Sequence, residues 1–246
     1  MDKYQTAEYI VREVMFYCTE HLAVSIPRPL LKTETKLIGF YSPVKRCLQT
    51  SFALTMGQLL ADKYKVLYLN MEGCSGLSGR LAPGEGGELT ELIYYAHNLS
   101  GKLLYRMESL IRRVGELEYV PPVLSAEDLS LVSGNEWREL LSQIGGKCSY
   151  DYILLDLSDQ IRGLRELLKQ CSIVYTLVED HPIDGIKIRE YEADLRASGY
   201  GEVLDKTRQC RLPWLEQLPV EAKLLPCTKL GDYVQERIRE DMHGGL

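Results

Sequence analysis

The sequence predicts an α/β fold with a mainly parallel, twisted sheet flanked by helices. Residues 37–41 and Val66–Met71 are short apolar runs, which are typical of buried parallel strands. Between them, apolar residues recur at helical spacing over residues 50–64. Strand, loop, helix and strand form a βαβ unit with a right-handed crossover. We therefore expect its first loop, residues 41–51, at the carboxyl edge of the sheet, where ligands bind.

Later segments extend this pattern over the rest of the chain. Residues 150–157 and 172–178 predict two more buried strands, and residues 118–122 predict a short strand that prolines stop. Apolar spacing predicts three further helices, over residues 96–115, 137–144 and 231–241. With 246 residues, of which 45% are hydrophobic, the chain has enough apolar material for one large α/β domain.

Residues 41–51 stand where a phosphate-binding loop is expected, but they lack most of its chemistry. A loop of the pattern GxxxxGK followed by Ser or Thr turns backbone N–H groups toward phosphates and adds a lysine. This loop has no glycine, and with Thr50 at the magnesium-ligating position, Gln49 replaces the lysine and Leu48 the preceding glycine. A left-handed conformation costs a residue other than glycine about 1–2 kcal/mol. We therefore expect the loop to relax into another shape.

Two cations in the same loop leave an alternative open. Lys45 and Arg46 lie beside the start of a predicted helix and can attract an anion by a different geometry. If ATP and Mg²⁺ bind here, the nucleotide-binding candidates are Lys45, Arg46, Gln49, Thr50 and Ser51. Otherwise the loop is remodelled and no cofactor is expected.

Two segments resemble a known family. Tyr41-Ser42-Pro43 and residues 66–72 are similar to the TadZ/CpaE-like pilus-assembly proteins of the MinD/ParA deviant Walker A ATPase family. The resemblance implies a P-loop NTPase-like fold of the MinD/ParA type. In those ATPases the loop resembles SPKGGxGKT, and its early lysine reaches the nucleotide of a dimer partner. Here Val44 stands on that lysine, Lys45 and Arg46 on the glycine pair, and Gln49 on the main lysine. Such a degenerate P-loop argues against hydrolysis more than against family membership.

The resemblance also assigns residues at the ends of the other strands. Asp156 resembles the Walker B aspartate, which organises Mg²⁺ through water, so Thr50 and Asp156 would hold the metal if ATP binds. Alternatively, Asp156 hydrogen-bonds the next loop. Asn70 and Glu72 stand where MinD-like proteins carry two aspartates, which makes Glu72 a weak candidate for the catalytic base. Pro226 is a weak candidate for framing the adenine.

Charge and hydropathy limit the partners. The net charge of −6 and the pI of about 5.4 disfavour nonspecific DNA binding, which needs a basic surface, so no nucleic acid is expected. No apolar run of about 18 residues predicts a transmembrane helix, and no secretory signal opens the chain, so we expect a cytoplasmic protein. A basic stripe on the predicted 96–115 helix is a solvated face or, as an alternative, a peripheral membrane or partner surface. It consists of Lys102, Arg106, Arg112 and Arg113.

We expect two parts in the chain: an N-terminal helix or connector over residues 1–30 and a degenerate P-loop NTPase-like domain over residues 31–246. In TadZ-like proteins a receiver domain precedes such a connector; here either the chain begins at the connector or this branch lacks the receiver. The resemblance implies a noncatalytic assembly or polar-localisation component of a Tad/Flp-type pilus or secretion machine, with protein partners, a possible homodimer and recruitment to the inner membrane face or cell pole. The alternative functions are a weak ATP-binding switch or ATPase that uses Lys45 or Arg46, and a regulatory scaffold unrelated to pili.

Overall fold

A computed structural model of the chain describes residues 34–45, 47–73, 75–77, 80–81, 88–99, 101–123, 125–215 and 217–243. The strands are Lys36–Phe40 (β1), Val66–Met71 (β2), Arg112–Val114 (β3), Leu117–Val120 (β4), Tyr152–Leu157 (β5), Ile173–Val178 (β6) and Thr207–Arg211 (β7). The helices are Gln49–Ala61 (α1), Leu89–Asn98 (α2), Leu103–Leu110 (α3), Ala126–Leu131 (α4), Gly134–Lys147 (α5), Leu164–Gln170 (α6), Pro182–Ala197 (α7), Glu202–Asp205 (α8) and Lys229–His243 (α9), with a 3₁₀ helix at Ala222–Cys227. The predicted connector at 1–30, Arg46 and most of residues 73–87, which follow β2 and contain six glycines, lie outside the described residues.

The seven strands form one sheet in the order β3-β4-β2-β5-β1-β6-β7. Every neighbouring pair is parallel except β3 and β4, which form an antiparallel hairpin at one edge. Gly115 takes the positive φ of 59° that the hairpin turn requires. The predicted α/β class and mainly parallel sheet are therefore confirmed.

Helix α1 is the element that positions the loop before it. Nine of its 13 residues are buried, because the helix packs between the sheet and the layer formed by α9 and the 3₁₀ helix. A Cβ added at Gly57 would come within 2.8 Å of the Leu117 side chain, so the helix approaches the sheet closely there. A helix held this tightly fixes where the loop at its N-terminus must end.

The other helix starts follow local sequence chemistry. Ser133 and Glu136 form a capping box at the start of α5, in which each side chain bonds the other residue's backbone N–H. His181 caps α7 by accepting a hydrogen bond at Nδ1 from the backbone of Ile183, and Pro182 occupies the first helical position. The His181-Pro182 pair, shortly after the end of β6, therefore starts the next helix.

The predicted helix over residues 96–115 is wrong. The chain instead forms the end of α2, the short helix α3 and strand β3, because Ile111 has an extended backbone and β3 pairs with β4. None of the helices in the described part of the chain is long and apolar enough to cross a membrane.

The basic stripe expected on that helix is consequently not a single charged face. Arg106 is buried and bonds Glu91, with Nε 3.0 Å from the carboxylate. Arg112 donates to backbone carbonyls at the end of α3. Arg113 pairs with Glu118 on the neighbouring strand at 2.6 Å. These cations stabilise the α3 to β4 region and do not form a continuous surface for lipid or partner.

Glu118 supplies a pH-dependent contribution to this hairpin. Burial raises the pKa of its carboxyl, but hydrogen bonds from Tyr150 and Arg113 outweigh it, so the pKa lies below its ordinary value of 4.5. A depressed folded-state pKa adds stability above pH 4.5 that is lost as the pH falls through the folded value. We expect wild type to exceed Glu118→Gln in free energy of unfolding at pH 7, and the difference to shrink in acid. Urea unfolding over a pH series checks this; a pH-independent difference would contradict it.

Candidate functional site

The loop between β1 and α1 lines a cleft of ≈ 420 Å³ at the carboxyl edge of the sheet. The cleft is lined by Ser42, Val44, Lys45, Cys47, Leu48, Gln49, Thr50, Ser51, Glu72 and Leu157. The structure thus brings together the loop candidates Lys45, Gln49, Thr50 and Ser51 with Glu72. Pro226 lies in the 3₁₀ helix and is not among these lining residues.

The loop is held at its first turn by buried hydrogen bonds. Ser42 donates from Oγ to the carbonyl of Leu177 at 2.5 Å and accepts from the backbone N–H of Val44 at 3.1 Å. The Cys47 thiol is buried 3.0 Å from the Val44 carbonyl, and burial raises its pKa. Cys47 is therefore a packed thiol rather than a nucleophile at neutral pH.

Leu48 has a left-handed backbone, with φ 60° and ψ 26°, immediately before α1. Among the described residues it alone, other than glycines, has a positive φ. The expectation that the loop avoids this conformation is wrong at Leu48. The reason is packing: α1 is buried from its first turn, and its first hydrogen bond, from Phe52 N–H to the Leu48 carbonyl (2.9 Å), requires the loop to enter at this point. The helix thus imposes a backbone strain of about 1–2 kcal/mol on Leu48, a residue that is 41% exposed.

Gln49, the first residue of α1, points its carboxamide into the sheet edge. Its Nε2 donates to Oδ1 of Asp156 at 2.7 Å and to the carbonyl of Leu157 at 2.9 Å. Both acceptors belong to β5, so the side chain joins α1 to the strand beside β1. A hydrogen bond to a charged group contributes about 1.5–3 kcal/mol to stability. The residue that the sequence pattern aligns with the lysine of a phosphate-binding loop therefore makes an internal hydrogen bond.

Asp156 is fully buried and is bonded from a second side by β2. Its Oδ2 accepts from the Tyr68 hydroxyl at 2.7 Å and from Asn70 Nδ2 at 3.0 Å. Burial raises the pKa of Asp156, and the hydrogen bonds that it accepts, that from Gln49 foremost, oppose that effect without cancelling it. The carboxylate that resembles the Walker B aspartate is thus a structural acceptor shared by α1 and β2.

Tyr68 was not a candidate from sequence, although the sequence holds a signal for it. Residues i and i+2 of a strand share one face, so Tyr68 and Asn70 project on the same side of β2. The register pairs Asn70 with Asp156 on the adjacent strand. A tyrosine and an asparagine on one face of an otherwise apolar buried strand indicate a buried acceptor nearby.

The remaining charged groups are near the mouth of the cleft. Thr50 donates to Glu72 at 3.3 Å, and burial together with the charge of Asp156 raises the pKa of Glu72. Lys45 pairs with Asp159 at 2.9 Å, and both side chains are more than half exposed. An exposed pair contributes little stability and separates readily.

Arg80 is a second residue that sequence reasoning missed. Its Nη1 donates to Ser51 Oγ at 2.9 Å, and its Nε donates to the carbonyl of Val220 at 3.3 Å. Arg80 therefore engages the Ser51 hydroxyl and ties α1 to the segment before the 3₁₀ helix. Burial lowers the pKa of Arg80, but the group remains a cation at neutral pH.

Mg²⁺ with ATP does not fit the side chains in this arrangement. The carboxylate of Asp156 has no exposed surface and already accepts three side-chain hydrogen bonds. The Gln49 carboxamide carries no charge to neutralise a phosphate. Lys45, the described cation that lines the cleft, is paired with Asp159. A metal-bound water or a phosphate would have to displace the hydrogen bonds of Gln49.

The strain at Leu48 makes a prediction about two variants. Glycine adopts the left-handed region without a Cβ clash, whereas alanine keeps the clash. We expect Leu48→Gly to be more stable than Leu48→Ala by about 1 kcal/mol, although glycine is normally the less stable of the two. Urea unfolding of both variants measures the difference. An alanine variant as stable as the glycine variant, or more stable, would show that the left-handed conformation is not imposed.

The fold is that of known ATPases, at low sequence identity. The ParA family ATPase from Chlorobium tepidum matches with a TM-score of 0.64 and 12% identity, over 82% of this chain and 97% of that one. The MinD cell division protein of Aquifex aeolicus matches with a TM-score of 0.62 and 13% identity, over 86% and 98%. MinD from Pyrococcus horikoshii, solved with Mg-ADP, matches with a TM-score of 0.60 and 16% identity, over 85% and 98%. No protein-family model matches the chain, and neither does any curated protein. The chain therefore has the P-loop NTPase fold of the MinD and ParA ATPases.

Proposed function

We propose that this chain is a noncatalytic member of the MinD/ParA fold, of TadZ/CpaE type, that acts through protein surfaces as an assembly or polar-localisation component of a Tad/Flp-type pilus or secretion machine. The observation that supports the noncatalytic role is the Gln49 hydrogen bond to Asp156, which stands where an active site would place a lysine near phosphate and a carboxylate near Mg²⁺. The pilus role is supported by the resemblance of Tyr41-Ser42-Pro43 and residues 66–72 to that family.

The charges of the cleft support the same proposal. Phosphoryl transfer depends on positive groups that stabilise the transferred phosphoryl group. Here Glu72 and Asp159 stand beside Lys45, the described cation that lines the cleft, so its positive charge is offset. Glu72 has the carboxylate of a general base, but without a positioned phosphate it has no water to activate against a substrate.

A second candidate function is a weak ATP-binding switch, and one observation favours it. Leu48 has the left-handed backbone that a glycine adopts readily, and the loop lines an open cleft. Lys45 needs only to leave an exposed ion pair to face an anion there. Arg46, the other cation proposed for this role, lies outside the described residues.

The partners and location belong to the proposal as well. We place the chain in the cytoplasm, recruited to the inner membrane face or cell pole by protein partners and with a possible homodimer. One comparison structure is a MinC:MinD complex, in which a protein of this fold binds a protein partner. Genes for a secretion ATPase and a prepilin beside the gene for this chain would separate a pilus role from a scaffold unrelated to pili.

Titration with ATP and Mg²⁺ tests the proposal. We expect no binding tighter than about 10 μM, which corresponds to about −7 kcal/mol. Isothermal titration calorimetry measures the affinity, and a phosphate-release assay measures turnover, with Lys45→Ala as the matched control. Tight binding that Lys45→Ala abolishes, together with phosphate release, would contradict the noncatalytic role. Tight binding without release would support the switch.

A further inference from the structure

We propose that the Gln49 carboxamide is a built-in latch, which holds the described residues of the loop, 41–45 and 47–48, in one arrangement whether or not a nucleotide is present. The latch consists of Gln49 and its two acceptors on β5, Asp156 and Leu157. This inference deepens the proposed function and rests on it, because it names the interaction that closes the site. It makes the chain a switch fixed in one state.

The geometry of Gln49 supports a latch more than an ordinary surface contact. Its Nε2 has two hydrogens, and both are used, at 2.7 Å to Asp156 and 2.9 Å to the Leu157 carbonyl. Both acceptors lie at the carboxyl end of β5, which is fully buried. One side chain at the first position of α1 thus fixes the end of the loop to the centre of the sheet.

Asp156, the side-chain acceptor of the latch, is equally constrained. Oδ2 of Asp156 is bonded by Tyr68 at 2.7 Å and by Asn70 at 3.0 Å, and the Tyr68 hydroxyl in turn accepts from Asn70 at 3.1 Å. Asp156 therefore cannot rotate to follow Gln49 without breaking bonds to β2. If the hydrogen bond from Gln49 breaks, the buried carboxylate of Asp156 loses a donor that water cannot replace unless the loop opens.

The residue before the latch has a strained backbone, which the latch helps to keep in place. Leu48 has a left-handed backbone, and Gln49 follows it directly. A strained residue persists only where its surroundings over-determine it. The hydrogen bonds of Gln49 and the packing of α1 are the surroundings that do so here. Removing the latch therefore allows Leu48 to relax, and the loop becomes mobile.

Hydrogen exchange of the loop amides tests the latch. We expect Gln49→Ala to accelerate exchange of the Val44 amide, which donates to Ser42 Oγ at 3.1 Å, by at least about tenfold, the factor that corresponds to about 1.4 kcal/mol of opening free energy. The matched control is Gln58→Ala in the same helix, whose buried Nε2 also donates to backbone carbonyls, at 3.3 Å to Leu54 and 2.9 Å to Ala222. That variant should accelerate exchange near the 3₁₀ helix and leave the loop unchanged.

The outcomes separate the latch from the proposed function. Loop exchange that is equal in wild type, Gln49→Ala and Gln58→Ala would overturn the latch, whatever the ATP titration gives. Wild-type exchange that slows in the loop when Mg²⁺ and ATP are added would overturn the fixed state and support the ATP-binding switch, whereas the noncatalytic role is contradicted only by phosphate release. If Gln49→Ala does not fold, Gln49→Asn, which is one methylene too short to reach both acceptors, takes its place with the same expected result.

Discussion

The burial of one carboxylate, Asp156, constrains the whole carboxyl edge of this protein. An ionised carboxylate without solvent is costly unless donors surround it. The chain supplies those donors from two directions: Gln49 at the start of α1, and Tyr68 with Asn70 on β2. Helix α1 and strands β2 and β5 are thereby joined through the Asp156 carboxyl. The position of the loop, the strain at Leu48 and the shape of the cleft all follow from where α1 is held.

This arrangement is the physical basis of the proposal that the fold is kept while its nucleotide chemistry is replaced. In an ATPase of this fold, charge at the sheet edge is balanced between protein, metal and phosphate. Here the hydrogen-bonding needs of the buried Asp156 carboxyl are met within the protein by neutral donors. The exposed charges, Lys45 and Asp159, pair with one another. A fold stabilised in this way does not need a ligand to complete it, which suits the proposed role as a protein-binding component of a larger machine.

Much of the fold could be predicted from sequence because its strands are apolar runs and its first helix follows a strand at once. β1, β2, β5 and β6 are buried on both faces, which is the condition that produces such runs. The prediction of one helix over residues 96–115 was wrong because the apolar residues fit helical spacing, while the pairing of β3 with β4 is a tertiary effect that spacing does not contain.

The residues of the site could be predicted in part. The ends of parallel strands and the loop that follows the first of them meet at one edge of the sheet, so Gln49, Thr50, Glu72 and Asp156 could be named. Their hydrogen bonds could not, because they depend on rotamers and on the burial of α1, and neither Tyr68 nor Arg80 stands at a position to which the sequence motifs assign a chemical role.

The most direct measurement of the central claim is the NMR signal of the Gln49 side-chain amide, assigned by comparison with Gln49→Asn. If the carboxamide is held between Asp156 and Leu157, its two protons should exchange slowly with solvent and differ strongly in chemical shift from exposed glutamines. Both properties should persist when Mg²⁺ and ATP are added. A Gln49 signal that matches exposed glutamines, or that moves to such a position when nucleotide is added, would contradict the account.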